Sequence, residues 1–249
     1  MDPAAMDPHG MALSAHFGGK HEAQLMIRRE DGVESVLPAG YFFRAEREFT
    51  PIECAALDLC TGYVLDVGAG TGLHSLVLQS RGVTVTAIDI SEAAVEIMKE
   101  SGVRNVHCVD VLQFEAGSFD TVLLLGHGIG MVEDLSGLHR FLIHAHRLTT
   151  AGGRLLVHSL DVRQTDDPVH LAYHEANRRA GRYVGETRLQ FEYDGHVGPF
   201  CGWLHVDPHT LRQEADSIGW GCDVILEQEG GDYLACLTEY GGGYWRQMI

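Results

Sequence analysis

The chain has 249 residues, 45% of them hydrophobic, which suffices for one well-buried α/β domain with an insertion or for two small domains. Asp and Glu number 35 against 18 for Lys and Arg, so the formal net charge is −17 at pH 7. Such an acidic surface repels a phosphate backbone, and no basic run offsets it. Composition and charge therefore argue against a disordered chain and against a nucleic-acid partner.

The cysteines and the first residues predict a cytoplasmic protein. The six cysteines form no CxxC pair, which is typical of reduced thiols; they are Cys54, Cys60, Cys108, Cys201, Cys222 and Cys236. No apolar run approaches the roughly 20 residues of a bilayer span, so no membrane partner is expected. Residues 1–24 lack the regions of a secretory signal and show no periodicity, which predicts a flexible N-terminal tail.

Residues 25–60 are expected to form a hairpin and a helix that cover the functional site. Apolar and polar residues alternate over 25–37 around Asp31-Gly32, a dipeptide suited to a tight turn. A helix is predicted from Pro51, with Thr50 as its N-cap and Glu53 at its third position, the pattern of a capping box.

From residue 61 to 249 short apolar strands alternate with helical stretches. Strands are predicted at 63–68, 83–89, 106–110, 121–126 and 153–161, and the helix over 136–153 is expected to end on its C-terminal glycine pair. Two further strands, 222–228 and 232–240, predict an antiparallel hairpin. The pattern predicts a doubly wound, Rossmann-like α/β sheet of seven mostly parallel strands ending in that hairpin.

Residues 162–206 interrupt this alternation and predict an inserted helix plus β-hairpin after the fifth strand. The hairpin turns at Asp194-Gly195. An insertion at this place usually lies over the carboxyl ends of the sheet, so we expect a substrate cover. Four aromatic residues here and beyond are expected to pack in the core rather than form a substrate cage; they are Phe191, Tyr193, Trp203 and Trp220.

The sharpest signal is VLDVGAGTG at residues 64–72. A strand ends at Asp66 and passes into glycines, which let the backbone turn tightly and approach a ligand. Asp89 and Asp110 end the next two strands. Any one acid could simply cap the following helix, but three at the ends of successive parallel strands favour a ligand site. A nicotinamide dinucleotide fits less well, because its fingerprint is G-x-G-x-x-G whereas these glycines alternate.

Five segments together, VLDVGAGTG, VTAIDIS, VHCVDVLQF, FDTVLLLG and LTTAGGRLLV, resemble the class I S-adenosylmethionine-dependent methyltransferases over roughly residues 41–161. The resemblance implies S-adenosyl-L-methionine as cofactor, with the glycine loop around its amino-acid end, Asp89 on the ribose and Asp110 on the adenine. Asp66 is placed to accept from the ligand ammonium. The implied cofactor site consists of Tyr41, Arg44, Asp66, Gly68, Ala69, Gly70, Thr71, Gly72, Asp89, Ile90, Asp110, Val111, Leu125 and Gly126.

Arg44, in GYFFRAEREF, resembles an arginine of the glycine and sarcosine N-methyltransferase-like branch. There an arginine ahead of the first motif binds the cofactor carboxylate, which implies the same role for Arg44, with Tyr41 nearby. A guanidinium suits this task because its planar fork makes two parallel hydrogen bonds. The alternative is a surface arginine among the alternating charges of RAERE.

His127 follows the strand at 121–126, in the sequence LLLGHGIGMV. The resemblance places this strand end near the transferable methyl group, where small-molecule members often carry LGN. We expect His127 to orient the acceptor or take its proton, the alternative being a histidine that only packs in its loop. His170 and His174 share a helix face but lack a third ligand, so no metal is expected, and they could line the acceptor pocket instead.

Methyl transfer is an in-line displacement that needs positioning and exclusion of water more than a catalytic triad. The sequence therefore predicts a methyltransferase acting on an O or N atom of a small molecule. A peptide or protein acceptor, or a non-catalytic S-adenosylmethionine-binding sensor, are the alternatives. The acceptor and the oligomeric state do not follow from the sequence.

Overall fold

The computed structural model describes residues 1–115 and 117–240, so the last nine residues of the predicted domain 61–249 lie outside the described part. The helices are α1 (Asp7–Phe17), α2 (Pro51–Leu59), α3 (Leu73–Ser80), α4 (Glu92–Glu100), α5 (Leu135–Leu148), α6 (Pro168–Arg179) and α7 (Pro208–Ser217). The strands are β1 (Gln24–Arg29), β2 (Glu34–Pro38), β3 (Tyr63–Val67), β4 (Thr84–Asp89), β5 (Asn105–Cys108), β6 (Phe119–Leu124), β7 (Thr149–Leu160), β8 (Glu186–Tyr193), β9 (His196–Val197), β10 (Cys201–Leu204), β11 (Trp220–Glu227) and β12 (Asp232–Glu239).

The main sheet confirms the predicted fold class. Its strand order is β11-β12-β7-β6-β3-β4-β5, with parallel pairing from β5 to β7 and antiparallel pairing on both sides of β12. The chain leaves β3 towards β4 on one side and later returns to β6 on the other. Ligands bind at such a switch point, outside the carboxyl ends of the strands.

The central strands are buried because helices cover both faces of the sheet. Leu65 and Leu124 belong to a core cluster on the α5 face, together with the fully buried Trp220. Val64 and Leu123 belong to a second cluster that includes α2. Alternate residues of one strand thus pack into opposite layers, which fixes the strand ends as a rigid edge for the site.

A second sheet lies beyond this edge, with strand order β10-β8-β1-β2 and β9 paired with β8. The predicted hairpin of residues 25–37 is confirmed as β1-β2, and the predicted insertion hairpin turns at Asp194, where φ is +49°. The sequence did not predict that the two hairpins pair, with Ile27 opposite Phe191. The insertion is therefore tied to the N-terminal segment.

The N-terminal segment, which the sequence predicted to be a flexible tail, contains helical structure. Residues 3–6 form a 3-10 turn and residues 7–17 form α1, whose Leu13 is fully buried against Ala94 and Ile97 of α4. At Gly10 a Cβ would lie 2.7 Å from the Ser91 hydroxyl oxygen. Because α1 packs through glycine and alanine, it carries almost no apolar periodicity, and this is why the sequence pattern missed it.

The predicted C-terminal end of the helix over residues 136–153 is wrong. Helix α5 ends at Leu148 and β7 begins at Thr149, so the glycine pair at 152 and 153 lies inside the strand. The Thr149 hydroxyl donates to the Ala145 carbonyl (3.0 Å), and Thr149 pairs with Phe119. Pairing with β6 therefore overrides the glycine signal.

No helix among the described residues combines the length and apolarity that a bilayer span requires.

Candidate active site

A cavity of about 870 Å³ lies at the carboxyl edge of the main sheet, beneath the second sheet and α6. It is lined by His127 and by all the predicted cofactor residues except Gly72; these are Tyr41, Arg44, Asp66, Gly68, Ala69, Gly70, Thr71, Asp89, Ile90, Asp110, Val111, Leu125 and Gly126. Residues far apart in sequence thus share one cavity, as expected if the ends of three neighbouring strands form one ligand site.

The glycine loop needs glycine for two different reasons. Gly68, Gly70 and Gly72 all have positive φ (+66°, +58° and +80°), a region that side chains disfavour. A Cβ on Gly70 would meet nothing within 4 Å, since this glycine faces open space. A Cβ on Gly72 would lie 2.7 Å from Val103, and Gly72 does not line the cavity. The close contact with Val103 and Met98 shows that glycine at position 72 is also required for the packing at the start of α3.

Asp89 connects the loop to the next strand. One carboxylate oxygen accepts from the Gly70 N–H and the other from the Ser91 N–H, both at 2.9 Å. Ser91, and not Asp89, caps helix α4. Burial raises the pKa of Asp89 to about 6. The carboxylate is therefore held rigidly at the cavity wall by backbone donors, with lone pairs remaining for ligand hydroxyls.

The other two acids differ in their surroundings. Asp66 is buried and accepts from the Ser75 hydroxyl at 2.6 Å, and burial raises its pKa. Asp110 is partly exposed and accepts from the Leu112 N–H at 2.8 Å, as N-cap of a short 3-10 turn. The capping alternative is thus realised for Asp110, which nevertheless lines the cavity.

Arg44 lines the cavity, and both terminal nitrogens of its guanidinium already donate hydrogen bonds within the protein. Its two terminal nitrogens donate to the Glu53 carboxylate at 2.8 and 3.2 Å, and its Nε donates to the Tyr41 carbonyl. Its guanidinium carbon lies 3.8 Å from the centre of the Tyr41 ring. His74 also bonds Glu53, at 2.9 Å. The sequence missed Glu53 and His74 as cavity residues, although the capping box at Glu53 is confirmed.

His127 has φ +57°, an uncommon conformation for a residue with a side chain, and lines the cavity. Its Nε2 lies 2.6 Å from Asp232, and the Nε2 of His158 lies 3.1 Å from the same oxygen. The two imidazole rings are 4.4 Å apart, and the ring of His205 is 5.6 Å from that of His127.

Two residues around His127 and the carboxylate that it contacts have shifted pKa values. Burial lowers the pKa of His158, and it lowers that of His205 to about 3. Hydrogen bonds from His127 and His158 hold the pKa of Asp232 well below its usual range. His158, His205 and Asp232 carry no sequence signal of a site, because they lie within or beside predicted strands and only the strand register brings them to His127.

The other half of the cavity is formed by the second sheet and α6 and is largely apolar, with polar groups from Arg29, Ser35 and Thr187. It is lined by Leu25, Ile27, Leu37, Leu189, Phe191 and Trp203 from the strands and by His170, Tyr173 and His174 from the helix. The expectation of core packing is confirmed for Phe191, which is 5% exposed and belongs to a buried cluster although it also lines the cavity. It is likewise confirmed for Trp220, which is fully buried and donates to the Leu142 carbonyl, whereas Trp203 is only partly buried and faces the cavity. His170 and His174 line the pocket as expected.

Comparison with known proteins identifies the class of protein. Residues 65–157 match the family described as "Methyltransferase domain". A crystal structure of a SAM-dependent methyltransferase from Bacteroides fragilis, in complex with S-adenosyl-L-homocysteine, is 31% identical to this chain. It superposes with a TM-score of 0.83 over 95% of this chain and 96% of that one.

Two curated relatives are similar over a shorter stretch. A demethylmenaquinone methyltransferase of Tropheryma whipplei is 30% identical over 147 residues, which are 56% of this chain and 60% of that protein. A ubiquinone biosynthesis O-methyltransferase of Pseudomonas paraeruginosa is 28% identical over 131 residues, or 48% and 55% respectively. The chain thus spans between half and two thirds of the length of these relatives.

The chain belongs to the class I S-adenosylmethionine-dependent methyltransferases. It is an enzyme of that family, and its cofactor is S-adenosyl-L-methionine.

Proposed function

We propose that this methyltransferase moves the methyl group of S-adenosyl-L-methionine to an oxygen or nitrogen atom of a small, largely apolar molecule. The single observation that supports this best is the cavity of about 870 Å³, which joins the glycine loop to an apolar half. Pockets for one small ligand range from about 300 to 1,000 Å³, and this cavity exceeds twice the lower limit, so it has room for the cofactor and a small acceptor.

We call the part of the cavity around the glycine loop the cofactor half, and the position of each polar group there suggests its role. We assign Asp89 to the ribose hydroxyls and Asp110 to the adenine amino group. The backbone of Gly68 and Gly70 approaches the amino-acid end, where Asp66 is placed for the ammonium. Because Glu53 occupies the fork of Arg44, a carboxylate bound there would have to share or displace it. The glycine and sarcosine branch rests on Arg44 and remains a resemblance.

The acceptor half argues for a small molecule over a peptide or protein. Strand β8 and helix α6 cover it, and its wall carries the aromatic rings of Phe191, Trp203 and Tyr173. Such a wall suits a flat, apolar acceptor. The curated relatives are named for the methylation of demethylmenaquinone and for ubiquinone biosynthesis, which agrees with a flat, apolar acceptor. We therefore favour a phenol-like hydroxyl as the methyl acceptor and place His127 beside the reacting atom.

The test is an assay of S-adenosyl-L-homocysteine formation with phenols, catechols, hydroxyquinones and amines, alongside a peptide panel. We expect turnover with one of the small-molecule classes. Ile27→Trp should raise the KM for the acceptor without changing cofactor affinity, because Ile27 lines the apolar half. Val36→Trp is the matched control, since Val36 lies on the neighbouring strand and is half exposed. Methylation of peptides alone would contradict the proposal.

His127 has its own test. His127→Asn is the suitable variant, because asparagine tolerates the left-handed backbone that His127 adopts. We expect unchanged affinity for S-adenosyl-L-homocysteine and a reduced kcat with the acceptor. Turnover at the wild-type rate would show that His127 only packs in its loop.

A further inference from the structure

His127, His158 and Asp232 meet at the end of the cavity although they come from three separate elements. His127 follows β6, His158 lies in β7 and Asp232 begins β12. Each side chain offers one metal-binding atom, and these atoms all lie within 4.8 Å of one another. Two imidazoles and one carboxylate are the donors that first-row divalent metals prefer.

The spacing needs little change to accept an ion. A tetrahedral zinc site with bonds of about 2.0–2.1 Å places its ligand atoms roughly 3.3–3.4 Å apart. The two histidine nitrogens now lie 2.6 and 3.1 Å from the same Asp232 oxygen. Side-chain rotations that lengthen these two contacts and replace the hydrogen bonds by metal bonds would bring both distances to the required value.

Two histidine nitrogens at this end of the cavity are unpaired, but they are not the converging donor atoms. The Nδ1 atoms of His158 and His205 are buried and have no hydrogen-bond partner among the described residues. His158 itself is only 8% exposed. Because the Nε2 of His158 is the atom that faces Asp232, an ion bound to Nε2 would not pair with this Nδ1, and what favours an ion is the convergence of the three donor atoms.

We infer that His127, His158 and Asp232 form a binding site for a divalent transition-metal ion, with Zn²⁺ the best fit. Three protein ligands leave a fourth position open, as in catalytic zinc sites. Because His127 lines the cavity, that position is suited to an oxygen atom of the acceptor. Only this last role rests on the proposed function. From the sequence no metal was expected, because His170 and His174 lack a third ligand. That expectation did not concern the present cluster.

The test uses the full chain without an affinity tag, freed of metal with a chelator and titrated calorimetrically with Zn²⁺. We expect one tight site per chain. His158→Gln and Asp232→Asn should each weaken it by at least about tenfold, since even outer-shell changes cost about 10- to 100-fold. His196→Gln and Asp223→Asn are matched controls, because both residues are exposed and lie outside the cluster.

Two further measurements keep the outcome unambiguous. Co²⁺ should give the visible absorption of a low-coordinate site in the wild type and the controls, but not in Asp232→Asn. Binding of S-adenosyl-L-homocysteine by the cluster variants shows that they are folded. Equal Zn²⁺ affinity in His158→Gln and wild type, or no stoichiometric site, would overturn the inference and leave a hydrogen-bonded cluster only. Neither result depends on methyl transfer, so the two proposals fail separately.

Discussion

Asp89 is the residue whose replacement tests the cofactor site most directly. Asp89→Asn keeps the shape of the side chain but replaces a carboxylate oxygen by an amide, which would face one of two backbone N–H donors, Gly70 or Ser91. Hydrogen bonds to a charged group contribute about 1.5–3 kcal/mol, so losing one of the ribose contacts should weaken cofactor binding about 10- to 150-fold.

The pH dependence of binding sharpens this prediction. Burial raises the pKa of Asp89 from 3.8 to about 6, so the folded chain holds this proton more tightly than the unfolded chain. Its contribution to stability therefore falls as the pH rises between these two values. Ribose hydroxyls donate to the charged form, so cofactor binding should strengthen as the pH rises through about 6, by about tenfold from near pH 5 to near pH 8.

Calorimetry with S-adenosyl-L-homocysteine at the two pH values, in buffers of different ionisation enthalpy, measures both affinity and proton release. Asp223→Asn is the control, because Asp223 is exposed on β11. The wild type should release a proton on binding near pH 5, and Asp89→Asn should not. If the variant binds within about twofold of wild type, or shows the same pH profile, the assignment of Asp89 is refuted.

Two changes probe how the site is supported. Glu53→Gln breaks a buried network with Arg44 and His74 and should cost about 3–5 kcal/mol in chemical denaturation. Burial opposes ionisation of Glu53, but hydrogen bonds bring its pKa to about 2 from 4.5, so its stabilisation is present above pH 4.5 and lost towards pH 2. The variant should lack that acid transition; an unchanged one would contradict the network. Gly130→Ala would drive a Cβ into the Trp203 indole, so thermal unfolding should show a loss of about 1–3 kcal/mol. Trp203→Leu in the same chain should restore most of it, and failure to do so would refute the contact.

Local signals in the sequence were enough to predict the residues that we propose for the cofactor. The run VLDVGAGTG predicted a strand, a tight turn and a ligand-facing backbone, because glycine allows the backbone to do both. The structure shows the turn with positive φ at Gly68, Gly70 and Gly72. Thr50 and Glu53 predicted the start of α2, since a capping box involves only four consecutive residues. The order of strands and helices then placed Asp89 and Asp110 at one edge of the sheet. Each inference needed only neighbours along the chain or a general rule of parallel sheets.

The acceptor half was decided by tertiary structure. Apolar alternation shows that a strand buries one face, but it does not say which strand will pair with it. The pairing of Ile27 with Phe191 therefore had no sequence signal, although it builds the wall that Trp203 completes. In the same way His127 and Asp232 are 105 residues apart, and only the register of β12 on β7 brings this carboxylate to the two histidines. Local chemistry is encoded by neighbours in sequence, whereas the convergence of distant side chains depends on how the whole chain packs.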